Sequence, residues 1–177
     1  MHRFTATVLT CLLFPLFLFS QNAEKSIHQE QLEHYNSLEF DAQYYEQNNE
    51  PSQNITHQKS NCNLEKYVFG WHPFWSNGLQ VNYDWDLLSD LSYFSYEVNP
   101  NTGNALTTHG FSTAQAVTDA LNNGVRVNLC VTLFSDHAAF LSNSTARQTL
   151  ISNLISLVQN RGAHGVNIDF ESMPSSV

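Results

Sequence analysis

Basic side chains are scarce in this sequence. Seven Lys and Arg stand against sixteen Asp and Glu in 177 residues, which gives a formal net charge of -9 at pH 7. Nucleic acids and anionic membranes are bound by concentrated basic surfaces, so the composition disfavours both as partners. A neutral sugar polymer is compatible with it, because the 12% of aromatic residues can stack on the apolar faces of sugar rings. With 42% hydrophobic residues, the chain is long enough for one globular core.

Cysteine is also scarce, and the histidines are scattered. Of the three cysteines, Cys11 lies in an N-terminal apolar run, which leaves Cys62 and Cys130. Cys62 precedes the first predicted strand and Cys130 lies within the third, so we expect two free thiols rather than a disulfide. None of the eight histidines forms a ligand-spaced pair such as His-x3-His. We therefore predict no metal site, and no cofactor is implied.

The sequence has no apolar run long enough for a typical membrane span. Residues 4–19 are apolar after a short basic start, but Pro15 interrupts them, and they fall short of the roughly 20 residues that a spanning helix needs. A signal anchor is thus disfavoured, and we predict a signal peptide over residues 1–20, cleaved near Ser20. The protein is then secreted, to the extracellular space or the cell envelope.

Residues 21–63 are poor in aliphatic side chains. Gln, Asn, Glu, His and Ser dominate this stretch, so it cannot bury enough surface to fold alone, and we predict a polar, disordered linker. Some apolar residues nevertheless recur near helical spacing, which favours a helix that packs on the following domain: Leu32, Tyr35, Leu38, Ala42 and Tyr45.

From residue 64 onward, strand and helix patterns alternate. Strands are predicted over residues 67–71, 91–98, 125–133 and 165–171, and helices over residues 112–121 and 145–160. Strands that are joined by helical crossovers form a parallel sheet with helices outside it. The pattern therefore predicts an α/β domain over residues 64–177.

The last predicted strand ends in acid. Because side chains alternate along a strand, Asn167, Asp169 and Glu171 share one face, and the other face is apolar. Strands of a parallel sheet pack both faces against protein, so the polar face is expected to line a cleft. Residues two apart lie roughly 6 to 7 Å from one another, so Asp169 can reach Glu171 and Asn167 can support Asp169. The alternative is a strand end whose carboxylates cap the next turn.

The stretch HGVNIDFE resembles the DGxDxDxE signature of glycoside hydrolase family 18, the chitinase and endo-N-acetylglucosaminidase family. Asp169 and Glu171 match the last Asp and the catalytic Glu of that signature. His164 and Asn167 replace its first and middle Asp. The NIDFE form resembles family members associated with spore walls and peptidoglycan, which favours a cell-wall or N-glycan substrate.

The resemblance implies an eight-stranded β/α barrel, with about the first four β/α units in this chain. The runs YVFGW, LSYFSYEV and VRVNLCVTLF resemble the family's first three strands, although the third has CVTL where the family carries Ser-x-Gly-Gly. This alignment makes Trp71, Phe94 and Cys130 face the same cavity as the acids, as substrate-binding residues. Trp75 lies at the rim as a further sugar platform. The alternative for the aromatic residues is a buried plug.

The resemblance also implies a mechanism. One acid, Glu171, serves as the general acid and then as the base, while the acetamido oxygen of an N-acetylglucosamine unit replaces the second carboxylate as nucleophile. Asp169 stabilises the resulting oxazolinium ion, and Asn167 hydrogen-bonds Asp169. Two other functions stay open: a lectin-like barrel that binds sugar without turnover, and an inert structural domain.

A complete barrel takes about 250 residues, so residues 64–177 have room for half of one. We therefore expect this sequence to be the N-terminal part of a longer product. Four open strands would expose unpaired edges and an uncovered apolar face. This part alone is expected to aggregate and to lack glycosidase activity.

Overall fold

The computed structural model describes residues 25–51 and 64–174. In these residues the helices are α1 (Ile27–Ser37), α2 (Ala42–Asn48), α3 (Gln115–Asn122), α4 (His137–Ser142) and α5 (Ser144–Arg161). The strands are β1 (Phe69–Pro73), β2 (Asp90–Val98), β3 (Ala105–Thr107), β4 (Arg126–Leu133) and β5 (Gly165–Phe170). Short 3-10 turns cover Phe74–Ser76, Leu79–Asn82 and Trp85–Leu87. The predicted signal peptide, Cys11 and Cys62 lie outside the described residues.

The sheet is parallel except for one short strand. β1, β2, β4 and β5 lie side by side in that order and run parallel, while β3 pairs antiparallel with the end of β2. Parallel strands need a crossover connection: 3-10 turns connect β1 to β2, α3 lies between β2 and β4, and α4 and α5 lie between β4 and β5. This is the order of consecutive β/α units, and it confirms the predicted α/β class with four parallel strands.

β4 is buried on both of its faces. Val127, Leu129 and Val131 on one face are completely buried, and so is Cys130 on the other, with Thr132 only 2% exposed. A strand in the middle of a parallel sheet has protein on both sides, which explains this burial. β4 therefore provides the rigid base against which β5 is aligned.

α5 begins and ends at residues suited to cap a helix. Asn143 accepts a hydrogen bond from the backbone N–H of Ala146 at 3.1 Å. Gly162 follows the helix with φ 69°, in the left-handed region that glycine adopts without the strain of a Cβ atom. The helix buries Leu150 and Leu154. The predicted helix is thus confirmed to within one residue at each end.

Part of the predicted linker is folded. Ser26 and Asp41 cap α1 and α2 by accepting hydrogen bonds from backbone N–H groups. Leu32 of α1 and Tyr45 of α2 are buried in the same core as the sheet. The disordered linker predicted over residues 21–63 is therefore corrected for residues 25–51, where a few apolar side chains use the domain as their core. The predicted helix is confirmed in part: two helices, α1 and α2, replace it, and Leu38 lies between them and is 41% exposed.

The apolar face of β5 is exposed. Val166 is 41% exposed and Ile168 is 55% exposed. On α5, Ile151 and Ile155 are likewise 55% and 52% exposed. β5 has a strand neighbour on one side only within the described sheet, so less protein covers it than covers β4. The uncovered apolar face expected for an open sheet is observed.

Within the described ranges, no helix combines the length and the apolar character that a membrane crossing requires.

Candidate active site

The two predicted acids lie together at the carboxyl end of β5. Asp169 stands in register with Thr132 of β4, and the backbone N–H of Glu171 donates to the carbonyl of Leu133 at 3.1 Å. The side chains of Asp169 and Glu171 are 14% and 23% exposed. Pairing with the buried β4 thus fixes both acids at one edge of the sheet, where the carboxyl ends of parallel strands collect.

A histidine from α1 contacts both acids. Nδ1 of His28 lies 2.9 Å from Oε1 of Glu171, at hydrogen-bond distance, and 3.6 Å from Oδ2 of Asp169. The other carboxylate oxygen of Glu171, Oε2, is buried and has no hydrogen-bond partner within the described part of the chain. His28 lies in the stretch predicted as a linker, and no sequence pattern indicated that it belongs to the site.

Asn167 and Cys130 lie behind Asp169. They are in register across β4 and β5, and the side-chain amide of Asn167 donates to Sγ of Cys130 at 3.6 Å. The thiol of Cys130 donates in turn to Oδ2 of Asp169 at 3.8 Å. Asn167 therefore reaches Asp169 through Cys130, whereas the sequence predicted a direct hydrogen bond.

Cys130 cannot be a direct sugar contact, and this corrects its predicted role as a substrate-binding residue. The residue faces the acids as expected, but it is completely buried. Burial, followed by the negative charge of Asp169, raises the pKa of the Cys130 thiol to about 12. The thiol is therefore protonated at neutral pH and serves as a hydrogen-bond donor to Asp169.

The environment of Asp169 stabilises its carboxylate form less than water does. Burial is the largest cause that raises the pKa of Asp169 above its ordinary value, and the negative charge of Glu171 acts in the same direction. His28 and the thiol of Cys130 partly oppose them. A hydrogen-bond donor or a positive charge next to such a carboxylate therefore stabilises it strongly.

Three of the predicted substrate-binding residues meet in one groove. Trp71, Trp75 and Phe94 line a cavity of about 220 Å³ together with His28, Gln31 and Pro73. Trp71 is 47% exposed, while Phe94 is only 3% exposed. Trp75 stacks in parallel on Tyr35 of α1, with ring centroids 4.3 Å apart and planes 6° from parallel. Trp71 thus has a free surface for a ligand, and Phe94 forms the floor.

The C-terminal end of α1 contacts a third carboxylate, that of Glu97, which no sequence pattern indicated as part of the site. The side-chain amide of Asn36 donates to Oε1 of Glu97 at 3.0 Å. Glu97 belongs to the end of β2, and its carboxylate also pairs with Nε2 of His109. α1 therefore runs from the end of β5 to the end of β2, across the carboxyl ends of the strands.

One cluster could hold a metal ion. His28, Asp169 and Glu171 each offer one ligand atom, and these atoms lie within 4.8 Å of one another. A nitrogen with two carboxylates suits several divalent metals. The hydrogen bond between His28 and Glu171 accounts for the cluster without an ion, so the absence of a metal site stays a prediction.

A larger hollow of about 530 Å³ lies beside α2. None of the predicted site residues lines it. Among the described residues, we therefore take the two acids and the aromatic groove, rather than this hollow, as the candidate site.

The fold and the site define an α/β domain with paired carboxylates beside an aromatic groove. No family model and no curated protein matches the chain. Similar solved structures include the spore cortex-lytic enzyme SleL of Bacillus cereus, at 20% identity and a TM-score of 0.43 over 49% of this chain and 22% of that one. Another is a variant of a GH18 chitinase from Cycas revoluta in complex with (GlcNAc)4, at 20% identity and a TM-score of 0.47 over 58% of this chain and 33% of that one.

The chain therefore spans between about a fifth and a third of the length of these two neighbours. Both likenesses are partial and of low identity, so they extend no further than the arrangement of strands and helices.

Proposed function

We propose that this chain carries the catalytic acid of a secreted retaining glycosidase, similar to glycoside hydrolase family 18, that acts on β-linked polymers containing N-acetylglucosamine. The observation that carries the proposal is the position of Asp169 and Glu171. They lie two residues apart at the carboxyl end of a parallel strand, beside a groove walled by Trp71 and Trp75. Carboxyl ends of strands are where β/α barrels place their chemistry.

Glu171 serves as the general acid. Its carboxyl proton passes to the glycosidic oxygen as the bond from that oxygen to C1 breaks, and the acetamido oxygen of the same sugar forms a new bond to C1. A water molecule then attacks C1 of the oxazolinium ion. Glu171, now a carboxylate, takes a proton from that water, which restores the starting state of the enzyme and the acetamido group.

Asp169 stabilises the intermediate. The acetamido N–H carries more positive charge in the oxazolinium ion than in the substrate, so a carboxylate that accepts its hydrogen bond binds the intermediate more strongly. Burial and the charge of Glu171 raise the pKa of Asp169, and an adjacent cation relieves this penalty. Asp169 is thus suited to the charged intermediate.

The neutral Asn167 limits the proton pathway. An amide cannot take up a proton as a carboxylate does, so a relay between two carboxyl groups that includes residue 167 is excluded. Asn167 instead donates to Cys130, and Cys130 orients Asp169. The role of Asn167 is therefore positional.

A sugar-binding protein without turnover is the second candidate. It is favoured by the hydrogen bond between His28 and Glu171, which engages the acid. The two functions make different predictions for the full-length protein with chitin oligomers and with peptidoglycan. New reducing ends indicate a glycosidase, and retention without cleavage indicates a lectin.

The decisive variant is Glu171→Gln in the full-length protein. It keeps the shape of the side chain but removes the transferable proton, so we expect turnover to fall by at least about a hundredfold while oligomer binding is kept. Glu65→Gln, at an exposed position before β1, is the matched control and should leave turnover unchanged. An unchanged rate in Glu171→Gln would remove Glu171 from the mechanism.

A further inference from the structure

We infer that α1 is an autoinhibitory segment, which occupies the cleft of the acids and excludes the polymer until it is displaced. This inference rests on the proposed function, because it takes Glu171 and the aromatic groove as the substrate site. α1 lies across the carboxyl ends of the strands, with His28 at the end of β5 and Asn36 at the end of β2.

The first argument concerns the two oxygens of Glu171. A general acid must come within hydrogen-bond distance of the oxygen that it protonates. Oε1 of Glu171 is already bonded to His28 at 2.9 Å, and Oε2 is buried. A glycosidic oxygen therefore has to replace the imidazole of His28 before it can receive a proton.

The second argument concerns the aromatic surfaces. A sugar ring binds an aromatic side chain by lying flat on its face. Tyr35 already lies flat on Trp75, with planes 6° from parallel. The ring of His28 has its centroid 6.0 Å from the centroids of both Trp71 and Phe94. Tyr35 thus covers the face of Trp75 that a bound sugar would use, and His28 lines the same groove as Trp71 and Phe94.

The third argument is that α1 buries little of itself against the domain. Leu32 is the one residue of this helix that is buried. Its polar anchors to the strand ends are three side-chain hydrogen bonds, between His28 and Glu171, from Ser172 to Gln29, and from Asn36 to Glu97. A helix anchored in this way can be exchanged for a ligand that offers several stacking and hydrogen-bonding groups, which is what a sugar polymer offers.

The test compares three forms of the full-length protein: the wild type, a His28→Ala/Tyr35→Ala double variant, and an Ile27→Ala/Glu30→Ala double variant as the matched control. Ile27 and Glu30 lie on the same helix, are exposed, and line no part of the groove. Calorimetric titration with (GlcNAc)4 gives Kd, and reducing ends give the rate. Acrylamide quenching of tryptophan fluorescence reports, without any sugar, whether the indole of Trp75 becomes accessible in addition to that of Trp71, which is already 47% exposed.

The His28→Ala/Tyr35→Ala variant is expected to bind (GlcNAc)4 about tenfold more tightly and to hydrolyse it faster, because ligand affinity is reduced by the fraction of molecules in which α1 closes the site. The control should match the wild type. An unchanged or weaker Kd in the first variant, with binding by the wild type, overturns the inference alone. If quenching shows that the indole of Trp75 is accessible in the first variant but none of the three forms binds the oligomer, the proposed function fails. The inference then fails with it.

Discussion

Oδ2 of Asp169 lies 3.8 Å from the sulfur of Cys130, which is completely buried beneath it. The thiol is protonated at neutral pH, because burial raises the pKa of Cys130 to about 12. The amide of Asn167 donates to the same sulfur from the neighbouring strand. A chain of two weak hydrogen bonds, whose middle member Cys130 is completely buried, therefore helps to orient Asp169.

Replacing Cys130 tests this chain. Cys130→Val removes the donor at similar volume, and we expect turnover of the full-length protein to fall about fivefold, since one hydrogen bond contributes about 1 kcal/mol. Cys130→Ser keeps a donor and should retain most of the activity. Steady-state kinetics on (GlcNAc)4 should show the loss in kcat rather than KM. Equal kcat values for the Val and Ser variants would contradict the proposed role.

A second buried network joins β1 to α2. His72 is completely buried and contacts Oδ1 of Asn77 at 2.8 Å and the hydroxyl of Tyr83 at 2.9 Å. The amide oxygen can only accept, so Nε2 of His72 carries the hydrogen and Nδ1 accepts from Tyr83. Asn77 donates in turn to the carbonyl of Ala42. The network thus fixes the neutral tautomer of His72.

This network predicts a dependence of stability on pH. Burial lowers the pKa of His72 from 6.5 to about 4, so below pH 6.5 the unfolded chain takes up a proton that the folded chain does not. The free energy of unfolding should therefore decrease as the pH falls from 6.5 to 4, by about 3 kcal/mol in total, and this contribution should not change further below pH 4.

Urea unfolding at several pH values between 7.5 and 4 checks this prediction. His72→Gln should be less stable at neutral pH and should lose part of the pH dependence. His34→Gln, at an exposed position on α1, is the control and should keep the wild-type slope. A His72→Gln variant with the full wild-type slope would show that other groups cause the dependence.

The strands and the acids could be predicted because their signals are local. Alternation of apolar and polar residues located β4, and the parity of Asp169 and Glu171 placed both acids on one face. Trp71 and Trp75 were also brought together as expected. The placement of β4 and of the two acids depends on the period of a strand, which a few consecutive residues reveal, whereas Trp75 lies in a 3-10 turn next to β1.

The contact between His28 and Glu171 could not be predicted, because 143 residues separate the two in sequence. α1 has low hydrophobicity and a single buried residue, so its composition favours a linker. Its position depends on tertiary contacts with side chains on β1 and β5. The burial of Cys130 could not be predicted either. The strand pattern predicted on which side of the sheet its side chain lies, but not that the side chain is completely buried.

Chelation tests the prediction that the proposed hydrolysis uses no metal. His28, Asp169 and Glu171 have donor atoms within 4.8 Å, so they are the group in the described residues where a metal effect would arise. We expect EDTA to leave the hydrolysis rate of the full-length protein unchanged, because the proposed mechanism needs only a carboxyl proton and the substrate's acetamido group. A loss of activity that added Zn²⁺ or Mn²⁺ restores would contradict it.

The exposed face of β5 predicts self-association of residues 21–177 when they are expressed alone. Ile168 is 55% exposed and Val166 is 41% exposed on a strand at the edge of the described sheet. An edge with unpaired backbone groups and apolar side chains is a template for pairing with another chain, and a single charge on such an edge opposes that pairing. We therefore expect concentration-dependent oligomers in size-exclusion chromatography, and a shift towards the monomer in Ile168→Lys.

Val81→Lys is the matched control, because Val81 is 57% exposed in a 3-10 turn outside the sheet, and it should leave the profile unchanged. Identical profiles for the three proteins would show that β5 does not direct the association.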